Sequence, residues 1–135
     1  MGANNETGLG GKAPIVDGTF NFANPEDRAK IAPLRATLTP ENVDKDAVAY
    51  VAFLDAQAQT KKAAKVGVQG YCMGGPLSFR TAAAVPERIG AVASFHGGGL
   101  HTAEATSPHL LIPRTSAEYL ILVADNDDKK EPEVK

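Results

Sequence analysis

The stretch Val66-Gly67-Val68-Gln69-Gly70-Tyr71-Cys72-Met73-Gly74-Gly75 decides how the chain is read. An apolar run of strand length meets Gly-X-Cys-X-Gly, and the segment behind it, Leu77 to Val85, has the residues of a helix. Strand, tight glycine turn and helix together form the nucleophile-elbow pattern, with cysteine where serine is more usual. A nucleophile on so sharp a turn sits in a strained backbone conformation. Its neighbours two positions away on either side need almost no side chain, and Gly70 and Gly74 meet that need. The turn also sets Cys72 at a helix N-terminus, where unpaired N–H groups and the helix dipole favour negative charge on sulfur.

Downstream of the elbow, Pro76 falls in the first turn of the helix, where its missing N–H costs little, and Pro86 ends that helix. A second buried strand follows at Ile89-Gly90-Ala91-Val92-Ala93-Ser94-Phe95 and leads into His96-Gly97-Gly98-Gly99. A loop through Pro108 and Pro113 precedes a third strand, Tyr119 to Ala124, and then Asp125-Asn126-Asp127-Asp128. Glu131 to Lys135 reads as the opening of a last helix.

Upstream, Asn24-Pro25-Glu26-Asp27 is a helix start: an N-cap, a proline at the first position and acids in the first turn. Pro33 restricts Ala32 and predicts a short helix. Thr39-Pro40-Glu41 repeats the start signal. Val43, Ala47, Tyr50, Val51 and Leu54 then recur at helical spacing as one apolar face. Residues 57–65 read as a polar, partly helical connection, and residues 1–20 as a flexible arm ahead of a single domain over 21–135. Strands near 66–71, 90–95 and 119–124 alternating with helices predict an α/β fold built on a parallel sheet.

Composition narrows the function classes. With 14 basic and 16 acidic residues the net charge is −2, which leaves no broad basic surface for nucleic acid or anionic lipid. No apolar run approaches the roughly 20 residues of a membrane span, and the N-terminus lacks the regions of a signal peptide. One cysteine forms no internal disulfide and no thiolate zinc cluster, so the expected setting is reducing and cytoplasmic. The oligomeric state is left open.

In a parallel α/β sheet, ligands bind beyond the carboxyl ends of the strands. Cys72, His96 with its glycines, and the aspartates from Asp125 to Asp128 all fall at those ends. The backbone N–H of Met73, next to the nucleophile, is the expected oxyanion donor, together with one N–H from an earlier strand–helix loop. His-Gly-Gly-Gly resembles the oxyanion loop of lipases and esterases, but that loop precedes the nucleophile and this one follows it. Tyr71, His96 and Gly97 are therefore read as substrate-pocket candidates, with His96 not expected to be the general base. His101 and His109 share the connecting loop and are read as ordinary surface residues; three histidines so spread do not define a metal site. Arg80, Arg88 and Arg114 could each pair with a carboxylate substrate, with surface placement the default.

Gly70-Tyr71-Cys72-Met73-Gly74-Gly75 resembles the dienelactone hydrolase family of α/β-hydrolases. The resemblance extends to Ala93-Ser94-Phe95-His96-Gly97-Gly98-Gly99-Leu100, Ser107-Pro108-His109-Leu110 and Ala124-Asp125-Asn126-Asp127-Asp128, and upstream to the segment from Leu38 to Gln57. It implies hydrolysis of a small ester or lactone by a Cys-Asp-His triad, with Cys72 as nucleophile and Asp127 as acid, ahead of Asp125. It calls for no metal and no cofactor. It also places the histidine after the acid, where this sequence has none, and about four strands before the elbow, where no segment reads as a convincing strand. The expectation is a fragment of a longer protein, truncated at both ends, whose Cys72 acylates more readily than it turns over. A non-catalytic remnant and a redox-reactive thiol protein are the alternatives.

Overall fold

The computed structural model describes residues 19–125. The expected N-terminal arm lies outside them except for Thr19 and Phe20. Asp127 and the helix expected from Glu131 also lie outside. The chain divides into two compact units at Thr39/Pro40.

The first unit holds α1, Pro25–Arg35. Its start follows the sequence signal: the Glu26 N–H donates to Asn24 Oδ1 at 2.8 Å, and Pro25 opens the helix. The Asp27 carboxylate accepts from Lys30 Nζ at 2.8 Å and from the Asn21 N–H at 3.0 Å. These bonds, the lysine's above all, hold its carboxyl below the ordinary range. The helix is short, as expected, but α1 includes Pro33 and runs on to Arg35. The steric preference against α before proline is a bias that one closing turn can absorb. That turn is fixed by the Ala36 N–H donating to the Ala32 carbonyl at 3.0 Å.

The second unit contains α2 (Pro40–Ala56), β1 (Val66–Tyr71), α3 (Gly74–Ala84), β2 (Ile89–Phe95), a 3₁₀ helix at Pro108–Arg114, and β3 (Glu118–Leu122). The strands form one parallel sheet in the order β1-β2-β3. Tyr71 pairs with Phe95 and Phe95 with Leu122, so the three strands end at one edge.

Helix α3 begins at Gly74, which puts Pro76 in its first turn, as expected. Gly-Gly-Pro looks like a breaker, but at a helix start the proline lacks nothing and the glycines permit close packing. The Pro108–Pro113 segment, read as a loop, winds into a 3₁₀ helix with Leu111 buried. Residues 57–65 form turns rather than helix.

Alternation along the strands sorts the sheet's two faces. α3 packs on one face, with α2 and the 3₁₀ helix against α3. The core there joins Val51, Phe79, Ala82, Ile89, Val92 and Leu100. On α2 the buried residues are Val43, Ala47 and Val51, a single row at spacing four. Tyr50 and Leu54, expected on the same face, are 71% and 37% exposed because they lie to one side of that row. Two arginines clamp the layer. Arg80 donates from Nε and Nη2 to both Asp44 oxygens at 3.0 Å. Arg88 donates to Asp55 from Nη2 at 2.7 Å and also to the Ala64 carbonyl. The guanidinium beside Asp55 holds that carboxyl below its ordinary value.

The opposite sheet face, with Gly67, Gln69, Tyr71, Leu120 and Leu122, is uncovered among the described residues. A concavity of about 410 Å³ lies on that face. No helix among the described residues is long and apolar enough to cross a membrane.

Candidate active site

Cys72 stands between the last residue of β1 and the start of α3, exposed, with φ +51°. A cysteine in the left-handed region is strained by its Cβ, at a cost of about 1–3 kcal/mol, and holds only where the surroundings fix it. Here its N–H donates to the Phe95 carbonyl at 3.0 Å, and its own carbonyl accepts the Gly75 N–H at 3.0 Å. One bond ties the turn to β2 and the other to the first turn of α3. No side chain caps α3 at Met73, so the Met73 amide sits at the uncapped helix start beside the sulfur.

The glycines divide their work differently from the sequence reading. A Cβ on Gly70 would run into the Gly74 carbonyl, so Gly70 is required, as expected. A Cβ on Gly74 would meet nothing within 4 Å; smallness at that position is not needed. The demand falls on Gly75, where a Cβ would come 2.9 Å from the Gly97 Cα, and on Gly97, where it would come 3.1 Å from the Gly75 Cα. These two glycines pack face to face with the Ser94 hydroxyl against both. Ser94 is fully buried, and its Oγ has no hydrogen-bond partner among the described residues. The loop after β2 is thereby seated on the elbow.

That loop begins at His96, which is exposed and also left-handed, with φ +44°. Its N–H donates to the Leu122 carbonyl at 2.8 Å. The Tyr71 ring stacks on Phe95 at 4.8 Å and tilts towards His96 at 6.4 Å. Tyr71 and Met73, on either side of Cys72 in the chain, are 55% and 54% exposed. The structure thus gathers Cys72, Met73, Tyr71, His96 and Gly97 at one edge. Asp125 is exposed past the end of β3, and Asp127 lies outside the described residues.

Sequence reasoning passed over two further features. Arg80 and Arg88 are engaged by Asp44 and Asp55. His101 and His109, read as ordinary, pair their rings at 4.2 Å. The buried Ser107 hydroxyl accepts the Thr102 N–H at 2.9 Å and shares a hydrogen bond with His109 Nδ1 at 2.8 Å. The run Ser107-Pro108-His109 was the signal available for that hub.

No curated protein and no solved structure matches the chain. The family model described as "Dienelactone hydrolase family" matches residues 11–133. That covers nearly the whole chain, and the parallel sheet, the flanking helices and the strand–turn–helix at Cys72 are those of an α/β-hydrolase. The chain belongs to the dienelactone hydrolase family, a family of hydrolases of small molecules.

Proposed function

We propose that this chain carries the nucleophilic half of an ester or lactone hydrolase site, with Cys72 as the attacking group. The observation that supports this most directly is the exposed cysteine held at φ +51° between a strand end and an uncapped helix start. In that position the thiolate attacks the acyl carbon, and the carbonyl oxygen gathers negative charge facing the Met73 N–H. Collapse expels the alkoxide and leaves a thioester, which water then hydrolyses. Asp127, ahead of Asp125, is the acid that orients a base, and Tyr71, His96 and Gly97 border the acyl group.

The test is hydrolysis of an activated aryl ester by the purified chain. Release of aryl alcohol with a thioester on Cys72 visible by intact mass, both lost in Cys72→Ala, is the expected result. Ester hydrolysis unchanged in Cys72→Ala would overturn the reading.

A further inference from the structure

The connection from β2 to β3, residues 96–117, is far longer than the about 2–6 residues usual between elements of an α/β unit. Its middle is drawn closed by hydrogen bonds. The His109 N–H donates to the Leu100 carbonyl at 2.9 Å, and the Ser107 N–H to the Glu104 carbonyl at 3.0 Å. The Thr102 N–H donates to Ser107 Oγ at 2.9 Å. Leu100 and Thr102 flank His101, and their partners are His109 itself and Ser107, close before it. The backbone therefore brings two imidazoles that are distant in sequence against each other, with ring centroids 4.2 Å apart and planes tilted by 39°.

The buried Ser107 hydroxyl decides which nitrogen of His109 is available. A hydroxyl has one proton to give and two lone pairs to receive with. Here the proton is directed to the Leu100 carbonyl at 3.5 Å, while Oγ already accepts the Thr102 N–H. The remaining bond, 2.8 Å to His109 Nδ1, is then donated by the ring. This network assigns the His109 proton to Nδ1 and leaves a bare lone pair on Nε2. A fixed acceptor on one ring nitrogen is how proteins hold the other nitrogen ready for a metal ion. The His101 ring has no hydrogen-bond partner among the described residues and is exposed, so the pair is open to solvent.

We propose that His101 and His109 form a two-imidazole site for a divalent transition-metal cation of the Ni²⁺, Cu²⁺ and Zn²⁺ group. Imidazole nitrogen is the ligand that these ions share. Two imidazoles whose nitrogens each lie about 2.1 Å from one ion hold their centroids roughly 4.5–5 Å apart. From 4.2 Å, the pair has to open by less than about 1 Å to admit the ion. Among the described residues no third histidine, cysteine or carboxylate completes a larger cluster, so water fills the other coordination positions and the ion stays exchangeable. The spread of the histidines along the sequence argued against a metal site, and closure of the loop removes that distance. The site does not depend on the chemistry of Cys72. A bound ion links His101 to the 3₁₀ helix Pro108–Arg114, which packs on α3, and stabilises the folded loop by mass action.

The experiment is calorimetric titration of the full chain, purified without a histidine tag, with Ni²⁺. Proton NMR of the histidine rings is the second readout. One equivalent should bind, and the paramagnetic ion should broaden the ring signals of His101 and His109 while sparing those of His96. His101→Asn should weaken binding about 10²-fold, to the level of a lone imidazole, because the second ligand no longer acts within the same molecule. His109→Asn should do the same, and the double variant should be no worse than either. Ser107→Ala should weaken binding about tenfold with the stoichiometry kept, as expected on removing a group that orients a ligand. Far-UV circular dichroism checks each fold, and the exposed His101 carries the test if the half-buried His109 tolerates no change. Cys72→Ala and His96→Asn should bind as the native chain does. Equal affinity in the native chain and in folded His101→Asn overturns the site. Binding lost in Cys72→Ala overturns it too, by making the thiol the ligand.

Discussion

The two margins of α3 make a useful contrast. Along its length the helix presses Phe79 and Ala82 into the sheet, and Arg80 and Arg88 close the layer with paired aspartates. At its N-terminus almost every rule is broken. Two non-glycine residues adopt left-handed backbone, a buried serine hydroxyl has no partner among the described residues, the helix has no side-chain cap, and tyrosine and methionine face solvent. The helix body holds the fold, and the backbone strain is gathered at one end, around Cys72. Such local violations gathered at one edge are what the proposed site at that edge would require.

The contrast breaks most severely if its anchor goes. Phe79→Ala should cost about 3–5 kcal/mol, measured by denaturant unfolding, because a fully buried ring against Tyr119 is replaced by a cavity. Whatever folds should retain a left-handed Cys72 with undiminished alkylation; a folded but unreactive protein would show that the two margins are not separable. The two flanking glycines come next. Gly70→Ala should cost about 3 kcal/mol or more, since its methyl overlaps a backbone oxygen that has nowhere to move. Gly74→Ala should fall between neutral and about 1 kcal/mol more stable, as its methyl enters open space at a helix start. Equal losses at both positions would restore the symmetric picture of the elbow.

The smallest effect concerns the arginine clamp. Asp55 titrates below its ordinary 3.8 in the folded chain because Arg88 binds its charged form. The pair's contribution is therefore complete above about that pH and disappears as pH falls through the lower folded value. Arg88→Met should lower the melting temperature at pH 6 and narrow the gap between pH 6 and pH 2. An unchanged gap would mean that the partly exposed pair is screened to nothing.

Much of this was legible in the residues. The apolar runs and the glycine turn marked all three strands and the elbow, because burial and tight turning leave local signatures. Asn24-Pro25 fixed the α1 start for the same reason. The breaks in the reading were non-local. Spacing on α2 could not separate Val51 from Tyr50, since that depends on which row meets α3. The need for a small residue fell on Gly75 instead of Gly74 because Gly97, far along the chain, packs there. His96 was visible as a residue, but its place beside Cys72 depends on strand order and on a left-handed turn that histidine does not announce.

The sheet's register carries one consequence for how the protein forms. Among the described residues every strand pairs with the next strand in sequence, and no later segment inserts between two earlier ones. Each parallel pairing closes a loop of more than twenty residues, Val66 to Ile89 and Ala91 to Glu118, so it must wait for the connecting segment to be laid down. Of the described strands, β1 precedes β2 with α3 between them, so α3 is laid down before β2 arrives. The turn at Cys72 is completed by its N–H bond to the Phe95 carbonyl on the next strand. The left-handed geometry at Cys72 is therefore closed by a contact from the second strand and not by β1 alone.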